Sequence, residues 1–292
     1  MTGTLLSIGH GYSAQALARR LMAGGWRVIG TTRSEEKAAK LRAAGIEPLI
    51  WPGTPLPLDR ATHVISSVAP TEGGDPVLAT ESDALARATH LRWLGYLSTT
   101  GVYGDHGGGW VDEDTPLTPA TARGRARVSA ETGWRALAAR YDLPLHIFRL
   151  AGIYGPGRSP LERVRGGNAR AIIKRGQVFS RIHVDDIAAV LEASIDRPCP
   201  GAVYNVCDDD PAPPQDVLDH AAALLDLPQP PRVAFDDADL SPMAGSFYAE
   251  SKRVRNDRIR QELGVTLTYP DYRSGLRALL EAEGNGAGAK AD

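Results

Sequence analysis

The stretch LLSIGHGYSAQALARRLMAGGWRVIGTTRS, residues 5–34, constrains this chain more than any other. An apolar run, Leu5–Ile8, meets a glycine turn, Gly9-His10-Gly11-Tyr12-Ser13-Ala14, of the form G-x-G-x-x-A. Ala14, Leu17, Ala18 and Leu21 then mark one face of a helix, and Gly24-Gly25 ends it. A second strand from Trp26 to Gly30 runs on to Arg33. In this pattern the first glycine permits the tight turn and the second lets backbone approach a pyrophosphate. A small third residue lets helix and strand pack closely. Phosphates then sit at the helix N-terminus, where free N–H groups and the helix dipole favour anions. The expected cofactor contacts are Gly9, His10, Gly11, Tyr12 and Ser13.

The end of the second strand selects the dinucleotide. A carboxylate there would hold the ribose hydroxyls of NAD and repel a 2′-phosphate. The chain has Thr31-Thr32-Arg33-Ser34 and no acid before Glu35. Arg33 offers a planar fork of donors to a phosphate, Ser34 a hydroxyl and Lys37 a second charge. NADP is expected ahead of NAD. Ser34 also stands where it can cap the next helix.

Apolar β-favouring runs continue at Ile46–Trp51, His63–Val68, Leu94–Thr99 and Leu145–Leu150, with helical stretches between them. Such alternation predicts an α/β fold, a doubly wound parallel sheet of the Rossmann kind. Residues 1–155 form the expected core, with 181–208 returning to it. The Gly-, Pro- and Arg-rich 156–180, together with 209–283, predict a smaller C-terminal substrate-side subdomain. Residues 284–292 have nothing to pack and are expected to be disordered. A formal net charge of -2 offers no field for nucleic acid or anionic membrane, so the expected partner is a small molecule. No apolar run reaches the length of a membrane span, and a cytoplasmic protein is expected. Cys199 and Cys207 make no metal-ligand set and read as buried free thiols.

Four further stretches carry a resemblance: LSTTGVYG at Leu97–Gly104, RLAGIYGPGR at Arg149–Arg158, RIHVDDIA at Arg181–Ala188 and VYNVCDD at Val203–Asp209. With the glycine turn, they resemble the extended short-chain dehydrogenases/reductases, the NAD(P)-dependent epimerases and dehydratases. The resemblance places Thr99 where the family's Ser or Thr binds the reacting carbonyl. It also implies a homodimer paired through helices near Pro76–Leu91 and Arg123–Arg140, with Val128, Trp134, Leu137 and Ala138 available for that face.

The family's acid/base motif is Y-x-x-x-K. Spacing from Thr99 and from Glu131 places Arg123 and Arg127 on those two positions. They lie one helical turn apart, so the geometry is kept. A guanidinium stays protonated and takes no proton from an alcohol, so the chemistry is lost. Arg127 is expected to hold the ribose, and Arg123 an anion. This erosion, with Val68-Ala69-Pro70 beside the cofactor and KRVRNDRIRQELG near the end, resembles the superfamily's atypical branch.

Tyr103 is the nearest phenol able to replace the lost tyrosine, and Tyr154 is similarly placed. His183 reads as a backbone-bonded histidine, and Asp185 and Asp186 as a helix cap and a first-turn acid. Arg158, Arg163, Arg165, Arg170, Lys174, Arg175 and Arg181 crowd the expected substrate side and suggest an anionic, sugar-type substrate. Two functions stay open: an NADP-dependent oxidoreductase or epimerase with a substituted donor, or a non-catalytic NADP-binding sensor.

Overall fold

The computed structural model describes residues 2–288. Seven parallel strands form the central sheet: β1 Thr4–Ile8, β2 Arg27–Thr32, β3 Glu47–Ile50, β4 His63–Ser66, β5 Trp93–Thr99, β6 Leu145–Leu150 and β7 Val203–Val206. Their order is β3-β2-β1-β4-β5-β6-β7. The sheet therefore winds outward in both directions from β1 and β4. The carboxyl ends of that pair form the switch point of the sheet, the place where open α/β sheets bind ligands. Every residue of β1, β4 and β6 is buried. That explains why these strands read as continuous apolar runs, since helices cover both faces.

Helix α1 (Tyr12–Ala23) and the later Val184–Asp196 helix pack on one face of the sheet. There Leu17, Leu21, Ile187 and Leu191 meet Trp93, Phe148 and Tyr204. Helix α2 (Glu35–Ala43) follows β2 and begins at Ser34, whose Oγ accepts from the Lys37 N–H as expected. On the opposite face lie α3 (Pro76–Ala86) and α4 (Ala122–Tyr141). Asp75 joins them: one carboxylate oxygen accepts from the Val77 and Leu78 N–H groups, the other from the Trp134 indole at 3.0 Å. Trp134 is fully buried, which removes it from the dimer face the sequence offered. Burying its large apolar ring against the sheet is worth more than exposing it.

A third apolar cluster gathers Leu161, Val164, Ala171, Val217, Leu218, Tyr272 and Leu276 away from the sheet. Within 209–283, however, Val254, Ile259, Leu263, Val265 and Leu267 pack with the sheet's own core. The basic segment is more regular than its composition suggested, with a Pro160–Arg165 helix and an Ala171–Ile173 strand. Before Arg253 the chain also forms a short helix, Pro242–Tyr248. The closing helix runs Tyr272–Gly288, past residue 284, where disorder was expected to begin. Residues 289–292 of that expected tail lie outside the described residues. Among the described residues no helix is long and apolar enough to cross a membrane. Cys207 is buried, but Cys199 is exposed, contrary to its reading as a buried thiol.

Candidate functional site

The glycine turn lies at the switch point. Gly9 has φ +75, and a Cβ there would stand 2.9 Å from Val68 Cγ2, so glycine is required twice over. Its N–H donates to Thr31 Oγ1 at 2.7 Å, fastening the turn to β2. Gly11 opens α1 with no side-chain cap, leaving the first-turn N–H groups unclaimed by side chains. A Cβ on Gly11 would meet only the Gly9 carbonyl, at 3.7 Å. The space before this helix end is therefore open, as a pyrophosphate needs. Ala14 is fully buried against the sheet. Ser13 is buried in the same turn, and Val68, Ala69 and Pro70 follow β4 as the facing lip.

Two residues of the turn do something other than face the crevice. The His10 ring turns toward the sheet, with Nδ1 2.9 Å from Ser7 Oγ and its Cγ close over Gly30. Burial pushes its pKa down to about 4, so it stays neutral. The ring is thus held on the sheet side of the turn. The Tyr12 hydroxyl donates to the Pro156 carbonyl at 2.9 Å, and Arg158 stacks on its ring. Tyr12 thus ties α1 to the turn after β6. Arg33 is exposed at the end of β2 and has no partner among the described residues.

The second half of the site forms where β5 ends. Thr99 Oγ1 accepts from the Gly101 N–H at 3.2 Å, and its own proton has no acceptor among the described residues. Helix α4 starts at Thr121, whose Oγ1 accepts from Gly124 N–H. A Cβ on Gly124 would fall 2.7 Å from the Gly101 carbonyl. That contact presses the first turn of α4 onto the turn after Thr99, bringing together the positions the sequence spacing paired. Arg127 reaches the strand: its Nη1 donates to the Leu97 carbonyl at 2.8 Å and to the Tyr96 hydroxyl at 3.0 Å. Arg123 is exposed and lies over the Phe247 ring, 5.7 Å from its centre.

Tyr103 does not replace the lost tyrosine. It is fully buried, donates to Asn205 Oδ1 at 2.7 Å and accepts from Arg149 Nη1 at 2.9 Å. Burial pushes its pKa up to about 12. Tyr154 is also buried, edge-on to His183, with its phenol raised by the same cause. Neither is placed to exchange a proton with a ligand.

Behind these groups sits a polar network the sequence did not reveal. Arg149 Nε and Nη2 bond both oxygens of Glu131 at 3.1 and 2.8 Å, and the Ser98 hydroxyl donates to the same carboxylate at 2.6 Å. All three are buried. A buried ion pair satisfied in this way fixes orientation more than it adds stability. Here it locks β5, α4 and β6 together directly behind Thr99. Glu131 served the sequence reading only as a spacing marker; a lone acid on a buried helix face was the available signal.

His183 is the cap of the Val184–Asp196 helix, accepting at Nδ1 from the Asp185 N–H at 3.2 Å. Asp185 is therefore not the cap it was expected to be but donates its N–H to it, and both Asp185 and Asp186 stand in the first turn. The Asp186 carboxylate, a first-turn acid as expected, also accepts the Thr268 and Tyr269 N–H groups at 2.8 and 3.0 Å, anchoring the C-terminal segment. The basic residues also divide. Arg181 points inward to the Phe179 and Ala212 carbonyls, and Arg165 pairs with Glu283. Arg163 and Arg170 line a cleft of about 180 Å³ with Asn168 and Asp239.

The profile of the NAD dependent epimerase/dehydratase family matches residues 83–207. Protein YeeZ of Escherichia coli K12 is 29% identical over 284 residues, 90% of this chain and 95% of its own. A functionally unknown conserved protein from Silicibacter pomeroyi DSS is 63% identical, with a TM-score of 0.91 over 96% of this chain and 99% of its own. The UDP-glucuronic acid 4-epimerase of Bacillus cereus, solved with UDP-glucuronic acid and NAD, is 16% identical with a TM-score of 0.78 over 98% and 99% of the two chains. That likeness shows the fold. A Methylobacillus flagellatus protein assigned to the NAD-dependent epimerases/dehydratases is 30% identical, with a TM-score of 0.67 over 96% of this chain and 98% of its own. With the dinucleotide crevice built as described and the family's profile matched, this chain belongs to the NAD-dependent epimerase/dehydratase family, and to those members whose Tyr-x-x-x-Lys pair has been replaced.

Proposed function

We propose that this protein is an NADP-dependent reductase of an anionic small molecule, running hydride transfer without a protein proton donor. What supports the reading is an open turn at Gly11, where a Cβ would meet only a carbonyl, together with a Thr99 hydroxyl proton without an acceptor among the described residues and an exposed Arg123. The α1 N-terminus and the Gly9–Gly11 backbone would hold the pyrophosphate, and Arg33 the 2′-phosphate. Val68–Pro70 would close over the dinucleotide, and Arg127 would stand near its ribose. When bound, the reduced nicotinamide supplies a hydride.

The remaining residues set the direction of the chemistry. Oxidising an alcohol, the opening step of epimerisation, needs a base; Arg123 and Arg127 cannot be one. Reducing a carbonyl needs stabilisation of a growing negative charge on oxygen, which a hydroxyl and a guanidinium supply well. Thr99 would donate to that oxygen, Arg123 would add positive charge, and solvent would deliver the proton afterwards. Arg163 and Arg170 would take the substrate's anionic group, a phosphate if the substrate is of the sugar type.

Absorbance of NADPH in the presence of anionic carbonyl compounds tests this reading. Consumption matched mole for mole by reduced product supports it. A second reading, NADP binding without turnover, is favoured by the committed state of Tyr103 and Tyr154; tight binding with no consumption would establish it. Pairing of two copies through α3 and α4 belongs to the same proposal. The solvent side of α4 presents Thr132, Arg135 and Ala136, and light scattering at micromolar concentration checks it.

A further inference from the structure

The chain has four phenylalanines, and three of them, Phe179, Phe235 and Phe247, gather around one short helix at the mouth of the site. Tyr248 of the Pro242–Tyr248 helix is held edge-on by Phe179 at 5.7 Å and against Phe235 at 5.5 Å. Lys174 covers Phe235 at 5.1 Å, and its Nζ donates to the Tyr248 carbonyl. These contacts fix the helix from behind and leave its next ring, Phe247, turned out, 53% exposed. Among the described residues the cation stacked on Phe247 is Arg123 of α4, the residue that the sequence spacing set on the family's tyrosine position. A large ring held in water by a secured helix gains nothing for the fold. A half-exposed aromatic ring carrying a flat guanidinium suits a flat, conjugated ligand and gives little to a puckered sugar ring.

We propose that the acceptor is a planar conjugated carbonyl compound, an aryl enone carrying a carboxylate or phosphate, stacked on Phe247 with its carbonyl oxygen toward Arg123 and Thr99. This rests on the hydride site described above and narrows its substrate class. Such an acceptor also explains the missing acid. The hydride and its electron pair form the new C–H bond at the β carbon, and the alkene π pair moves through the conjugated system onto the carbonyl oxygen. The dinucleotide is left oxidised, and the α carbon later takes a proton from water. The product oxyanion is a delocalised enolate, stable enough to wait for solvent while Arg123 and Thr99 hydrogen-bond to it. A saturated ketone would yield a localised and far more basic alkoxide, which the same two groups stabilise less well.

Calorimetric titration with para-carboxybenzylideneacetone and with its saturated counterpart tests the assignment, with and without NADPH. The conjugated probe should bind at least tenfold more tightly than the saturated one. Phe247→Ala should weaken the conjugated probe about tenfold, Phe247→Trp should restore it, and NADPH affinity should not move in either variant. Equal binding of the two probes, tighter binding of UDP-glucose than of the conjugated probe, or indifference to Phe247→Ala would overturn it. Loss of NADPH binding in the wild type would instead sink the hydride-site reading, and the probe titration without cofactor would still decide this one.

Discussion

The Tyr103 hydroxyl donates to Asn205 Oδ1 at 2.7 Å, inside a pocket closed to solvent, although the two residues stand 102 positions apart. That bond ends the candidacy of the phenol nearest to Thr99 in sequence. Tyr103→Phe should therefore leave turnover per folded molecule unchanged. It should lower stability by about 1–3 kcal/mol, because Asn205 Oδ1 and Arg149 Nη1 lose a buried partner. Urea unfolding beside an activity assay on the folded fraction separates the two effects. Abolished turnover in a stable variant would restore Tyr103 as the donor.

Gly11→Val should remove dinucleotide binding and keep the fold. A Cβ there meets only a carbonyl at 3.7 Å, so the branched side chain fits the protein and fills the pyrophosphate's approach. Circular dichroism should match the wild type while NADPH fluorescence enhancement disappears. Normal NADPH binding would move the pocket elsewhere.

Restoring the family pair asks whether the rest of the site is competent. Arg123→Tyr with Arg127→Lys puts a titratable phenol and an ammonium one turn apart beside Thr99. Reduction of saturated ketones, feeble in the wild type, should rise at least tenfold in the double variant. An unchanged rate with NADPH still bound would mean that Thr99 is misplaced for a carbonyl.

Stability should fall as pH drops from about 6.5 to about 4. His10, His63 and His146 are each pushed down to about 4 by burial, so they stay neutral in the fold while an unfolded chain would protonate them near pH ~6.5. Their stabilisation is complete above the unfolded pKa and is lost through this window, on the order of 1–2 kcal/mol per histidine by pH ~5. Denaturant midpoints measured between neutral and mildly acid pH check the slope. His146→Gln should flatten it, since His146 is fully buried; an unaltered slope would contradict its part.

Much of the site was legible because it is local. Gly9, Gly11 and Ala14 sit on one strand–turn–helix unit, and the turn, the helix start and the close packing they make follow from backbone geometry within a few residues. The pairing of 123 with 127 was legible for the same reason, since one helix fixes both. What escaped depends on partners far along the chain. Tyr103 meets Asn205 and Arg149, Asp186 meets Thr268, and Arg181 turns inward to Ala212; no local pattern announces such contacts. The Pro242–Tyr248 helix escaped because Pro, Gly and Ser interrupt any apolar period, and its anchors Phe179 and Lys174 lie some seventy residues earlier.

The central claim is a crevice that holds NADP, and Arg33 is its most direct probe. Arg33 directly follows β2, exposed and unpartnered among the described residues, where an acid would select NAD. Fluorescence titration of wild type and Arg33→Ala with NADPH and NADH measures the preference. Wild type should favour NADPH, and the variant should lose on the order of 1.5–3 kcal/mol of that preference, the value of one charge-assisted phosphate contact, while NADH affinity stays constant. Equal wild-type affinities for the two dinucleotides, or no binding of either, would contradict it.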